Sequence, residues 1–95
     1  MAYRHVVLFR FRDHVSDDDV EACERRLLSL ADHPGVESFG VHRSEDTRKG
    51  RVVLEEVTFT DRDAYAAWRA WPEHVAAGEQ LSEVADWWVA DHPLV

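Results

Sequence analysis

The sequence has little from which to build a disulfide, a phosphate-binding loop or a nucleic-acid surface. Cys23 is its one cysteine, so no internal disulfide forms, and a reducing, cytoplasmic setting is expected. Four glycines are too few for a phosphate cradle, and no G-x-S-x-G, P-loop or dinucleotide fingerprint occurs. Positive charge is scarce: eleven Lys and Arg stand against nineteen Asp and Glu, for a net charge of -8. The basic residues are scattered and form no stripe, so phosphate backbones and anionic membranes would be repelled. Neither nucleic acid nor membrane is an expected partner. No long apolar run occurs, and Arg4, Arg10 and Arg12 interrupt the first segment, which argues against an export signal or a membrane span.

What the chain does have is a hydrophobic content of 45% spread over 95 residues, which fits one globular domain over residues 1–95. A chain this short buries a modest fraction of its surface, so a second copy is a natural supplement to its stability.

Hydrophobic periodicity orders the elements. In YRHVVLFRFR, residues 3 to 12, Tyr3, His5, Val7, Phe9 and Phe11 share one face at period two, which predicts a strand. The opposite face also has an apolar middle, Val6 and Leu8. Ser16 followed by three aspartates signals a helix start, and the spacing predicts a helix over about 17–32, stopped by His33-Pro34-Gly35. Residues 36–44 and 51–60 are strand-like, with a polar loop ending in Gly50 between them. Asp61 caps a second helix carrying Tyr65, Trp68 and Trp71. Pro72 breaks it and opens a continuation over 73–85. Residues 86–91 form a closing strand, ended by His92-Pro93.

The order βαββαβ, with right-handed crossovers, predicts an α+β ferredoxin-like fold: a four-stranded antiparallel sheet with its helices on one face. Val6, Leu8, Val52 and Leu54 would then occupy the bare face. Burying about half a dozen such side chains, at about 1.5–3 kcal/mol each, favours a homodimer joined sheet to sheet, a dimeric α+β barrel.

The helix-side stripe holds the candidate chemistry. His5 begins it on the first strand. Glu55 interrupts it on the third, between Val53 and Val57, and His74 follows the proline break on a face directed at the sheet. A histidine on an apolar face is more often a hydrogen-bonded core residue than a catalyst, and an aromatic row at helical spacing is more often core than pocket wall. Yet imidazole titrates near neutrality, and a second imidazole or a carboxylate beside it can orient it or return a proton. His14, His33, His42 and His92 lack the short spacings of a metal site, and Ser16–Asp19 lacks the glycine turn of a calcium loop, so no metal is expected.

RHVVLFRFRD, PGV, VTF and WPEHV together resemble the Dabb family, the stress-responsive dimeric alpha-beta barrels, over essentially the whole chain. The resemblance implies the same fold and homodimer. Cyclases of that family close a linear polyketide by aldol condensation without a cofactor, using two histidines that match His5 and His74. Their two pocket tyrosines are replaced here by Leu27 and Trp68, and Glu55 stands where they have an apolar wall residue.

The expectation is a small cofactor-independent enzyme of secondary metabolism, polyketide cyclase-like, moving a proton on a carbonyl substrate. In it His74 is general base, His5 orients it or polarises the carbonyl, and Glu55 tunes the imidazole. The expected ligand is a hydrophobic or aromatic small molecule held by Val7, Phe9, Leu27, Val57, Tyr65, Trp68, Trp71, Gly78 and Leu81. Two alternatives stand beside this reading: a non-catalytic ligand-binding or structural barrel, and a cofactor-independent monooxygenase.

Overall fold

Strand β1, Tyr3–Phe11, lies at the centre of the chain's only sheet because both of its faces are apolar. In the computed structural model, which describes residues 1–95, it pairs antiparallel with β3, Val52–Phe59, on one side and β4, Ala85–Pro93, on the other. Strand β2, Val36–Arg43, pairs antiparallel with β3, giving the sheet order β2-β3-β1-β4. This is the ferredoxin-like arrangement expected from the element order.

Helix α1, Asp17–Leu28, begins where Ser16 Oγ accepts from the Asp19 N–H at 3.1 Å, with Asp17, Asp18 and Asp19 in the first turn and Arg25 and Arg26 in the last. Its last turn tightens to a 3-10 turn over Ser29–Ala31, so the predicted single helix over 17–32 is two pieces. The Pro34-Gly35 stretch then lets a helix approach closely. A Cβ on Gly35 would meet the Ala64 Cβ at 2.6 Å.

Helix α2, Arg62–Ala70, is capped by Asp61, whose carboxylate accepts from the Ala64 N–H at 2.8 Å. Trp71 then takes an extended backbone, and Pro72 opens α3, Pro72–Ser82, as its first residue. Two sequence expectations are corrected here. The predicted continuation over 73–85 ends at Ser82, because Val84 C=O accepts from Arg12 N–H and Ala85 pairs with Phe11 as the start of β4. And His92-Pro93 does not end the strand: Arg4 pairs with His92 and Tyr3 with Pro93. Proline is tolerated there because β4 is an edge strand, where a missing N–H breaks no ladder bond on the open side.

The helices cover the face carrying His5, Val7, Phe9 and Phe11, all buried, together with Val53, Glu55, Val57 and Phe59 of β3. The other face presents Val6 and Leu8, Val52 and Leu54, and, beside them, Trp88 and Ala90 of β4. Leu8 is 44% exposed and Trp88 60%, although they sit opposite each other in the β1–β4 register.

Candidate functional site

Period-two alternation places His5 on the helix side of β1, and pairing with β4 sets it opposite Asp91. His5 Nδ1 lies 2.5 Å from Asp91 Oδ1, and its Nε2 lies 3.4 Å from Glu55 Oε1. Asp91 Oδ2 in turn accepts from the Tyr65 hydroxyl at 2.7 Å. One imidazole is therefore enclosed by two carboxylates, one of which is tethered by a phenol. His5 and Glu55 are almost wholly buried.

Burial alone would lower the His5 pKa, but hydrogen bonding and charge from Glu55 and Asp91 outweigh it and leave the pKa raised. His5 thus favours the imidazolium form, which donates from both nitrogens. The Tyr65 hydroxyl is pushed far above its ordinary range, by burial first and by the Asp91 hydrogen bond second, so it remains a donor.

His74 stands one turn into α3, with its backbone N–H donating to Trp71 C=O at 2.9 Å. Its ring centroid lies 4.3 Å from that of Trp68. Burial lowers its pKa, and the charges of His5 and Arg69 lower it further. His74 is therefore held neutral near pH 7, with the properties of a base. Two imidazoles in one site are driven apart in pKa, one upward and one downward, the direction in which an acid–base pair is separated.

The two rings meet at one cavity of about 270 Å³ between the sheet and the helices. Its walls are mostly apolar, with Leu27 and Leu30 on one side, Ala77, Gly78 and Leu81 on another and Val7 and Phe9 on the floor. Arg69 lines it too, is exposed, and makes no ion pair with any carboxylate. No group of three or more His, Cys, Asp or Glu side chains is arranged to hold a metal ion.

Residues 3–93 match the family profile described as the Stress responsive A/B Barrel Domain, Dabb. The chain belongs to the Dabb family. Solved structures share the Dabb architecture at low identity. A dimeric ferredoxin-like protein of unknown function from Thermobifida fusca has 24% identity and a TM-score of 0.88, with 99% of this chain and 92% of that one covered. A hydroxynitrile lyase from Passiflora edulis has 15% identity and a TM-score of 0.86, covering 99% and 94%. SnoaB, a cofactor-independent oxygenase from Streptomyces nogalater, has 19% identity and a TM-score of 0.82, covering 99% and 93%. Among curated proteins none matches the sequence significantly.

In this Dabb chain the cavity gathers His5, Glu55 and His74 with Val7, Phe9, Leu27, Tyr65, Gly78 and Leu81. Three expected wall residues are elsewhere. Trp68 is wholly buried: its indole N–H donates to Leu30 C=O at 3.0 Å, which holds the ring as a wedge packed against both imidazoles. Val57 is wholly buried in the core beside His5 and does not reach the cavity. Trp71, at the extended break between α2 and α3, leaves helical register, and its ring packs on His33 with centroids 5.2 Å apart.

Sequence reasoning missed Asp91, Arg69, Trp87, Val89, Leu30 and Ala77. For Asp91 the signal existed, since Trp87, Val89 and Asp91 alternate on the helix side of β4. Cys23 is buried in α1, and burial raises its thiol pKa, so it is an inert packing group.

Proposed function

We propose that this Dabb protein is a cofactor-independent enzyme that moves a proton on a small carbonyl substrate, with His74 as general base. The observation that carries this reading is that two imidazoles meet at one apolar cavity, His5 held between two carboxylates and His74 packed on Trp68 without one, an arrangement that displaces their pKa values in opposite directions. His74 takes a proton from the carbon next to a carbonyl, and the electron pair passes to the carbonyl oxygen as an enolate. Arg69, the unpaired cation at the rim, supplies positive field that favours this charge, while the His5 imidazolium offsets part of the negative charge of Glu55 and Asp91 beside the site. In an aldol-type cyclisation the enolate carbon then bonds to a second carbonyl carbon of the same polyketide-like chain. The new alkoxide recovers the proton from His74, so no redox partner enters the balance. Such enzyme-like chemistry on the same architecture is supported by the lyase and oxygenase neighbours, each known for its own reaction.

The working unit in this proposal is a homodimer. Val6, Leu8, Val52, Leu54, Trp88 and Ala90 give the open sheet face an apolar patch that a second copy would cover, and two of the similar structures are described as dimeric. The lone buried thiol suits a cytoplasmic setting.

A second reading has its own support. Both His5 nitrogens are committed to carboxylates, which is what a non-catalytic binding barrel needs to satisfy a buried polar network. Deuterium uptake separates the two. Acetophenone, a one-ring methyl ketone, is incubated with the protein in D2O and its methyl signal is followed by NMR. Protein-dependent uptake is expected, with a fall to background in His74→Ala and little change in melting temperature. Uptake that survives in His74→Ala removes the base assignment, and no uptake at all favours the binding barrel.

A further inference from the structure

One polar atom beside the cavity is left without a partner. Glu55 is 2% exposed, its Oε1 faces His5 Nε2, and its Oε2 accepts no hydrogen bond from any group of the protein. A buried oxygen in that condition forfeits the water it had in the unfolded chain and gains nothing in return, so native proteins rarely keep one without a use. No donor of the site reaches it: Arg69 and His74, which also line the cavity, make no hydrogen bond to it. His5 Nδ1 is directed at Asp91, the Tyr65 hydroxyl donates to Asp91, and the Trp68 N–H donates to Leu30 C=O. Packing offers no donor either, since Val7, its cross-strand partner, and Leu27 and Leu81 elsewhere on the cavity wall are hydrocarbon.

The cavity itself bounds what else can bring a donor. At about 270 Å³ it exceeds the roughly 150 Å³ that suffices for benzene, so it admits one ring with a short substituent. Gly78 keeps it wide: a Cβ placed there meets nothing within 4 Å.

We propose that Glu55 is the specificity-determining acceptor of the site, receiving a hydrogen bond from a hydroxyl on the buried end of a one-ring or similarly sized ligand whose hydrocarbon body fills the apolar walls. This rests on the ligand-site reading above and adds to it the polarity and size of the ligand. A site built to receive a hydroxyl rejects the analogue lacking it, because the acceptor is then stranded, whereas a plain apolar cavity favours the more hydrophobic analogue. Those two behaviours have opposite signs.

The test uses p-cresol and toluene as probes, titrated by NMR and calorimetry into the full chain. p-Cresol is expected to bind at least about tenfold more tightly than toluene. In Glu55→Leu, which removes the acceptor at similar volume, the ratio is expected to fall below about threefold or to invert. Glu55→Gln, which keeps the shape and guards against loss of folding, places an amide N–H where Oε2 lies and lowers the ratio as well. Equal binding in the unaltered protein overturns the proposal, because water then satisfies Glu55 as well as a hydroxyl does. A preference that persists in both variants also overturns it, since another group is reading the hydroxyl. If neither probe binds, the cavity is no ligand site and the functional reading fails together with this one.

Discussion

Asp91 Oδ1 and His5 Nδ1 lie 2.5 Å apart, joining the last strand to the first across 86 positions of sequence. The contact is one of the two that hold the His5 pKa up against its burial. Asp91→Asn is expected to move the His5 titration midpoint downward, followed by NMR through the ring C–H signals. An unmoved midpoint would mean that Glu55 alone holds the imidazolium.

The two histidines are expected to titrate on opposite sides of the ordinary value near 6.5. His74, neutral-favouring, contributes stability above 6.5 that is lost as pH falls through its lower folded value. His5, charge-favouring, contributes stability below 6.5 that is lost as pH rises through its higher folded value. Exchange activity is therefore expected to have an acid limb below pH 6.5, from His74, and an alkaline limb above it, from His5. An acid limb at or above 6.5 would contradict the assignment of His74 as base.

Gly78→Ala is expected to raise stability and reduce binding together. Glycine within a helix costs about 0.5–1 kcal/mol relative to alanine, and nothing crowds the added methyl. Each kcal/mol shifts the melting temperature of a domain this size by about 4–8 °C, so a rise of a few degrees is expected by calorimetry. The same methyl narrows the cavity and weakens binding of one-ring probes. A lower melting temperature would show that the space is already filled.

Trp68→Ala is expected to cost about 3–5 kcal/mol in urea unfolding, because the ring is wholly buried and its removal also leaves Leu30 C=O without its donor. A loss below about 1 kcal/mol would mean that the wedge between the imidazoles is not structural.

Leu8→Asp places a charge at the middle of the open sheet face, opposite Leu54 and Trp88 in register. A dimer mass is expected for the unaltered protein by sedimentation, and a monomer mass for Leu8→Asp. A monomer mass for both would end the proposed sheet-to-sheet pairing.

Much of the architecture was legible in local pattern. The alternation of His5, Val7, Phe9 and Phe11 specifies the buried face of β1, and a register slip of one residue would have turned every one of them outward. Counting back from Phe59 places Glu55 on that same face. Ser16, Asp61 and Pro72 mark helix starts through chemistry confined to one turn. Less legible was where local signals compete. Pro93 looks like a strand terminator until its edge position is known, and Asp91, although inside the expected strand over 86–91, gains meaning only from the β1–β4 register that sets it opposite His5.

The sequence by itself determined which side chains share a face, because the periods of strand and helix are set by backbone geometry within a few residues. It thereby placed His5, Glu55 and His74 on surfaces that look toward one another. Only the tertiary structure decided their partners: Asp91 on His5, Trp68 as a wedge, Trp71 turned away to His33, and Glu55 Oε2 left alone. Those choices depend on strand register and helix docking between residues far apart in the chain, where a displacement of about one ångström exchanges a hydrogen bond for a gap.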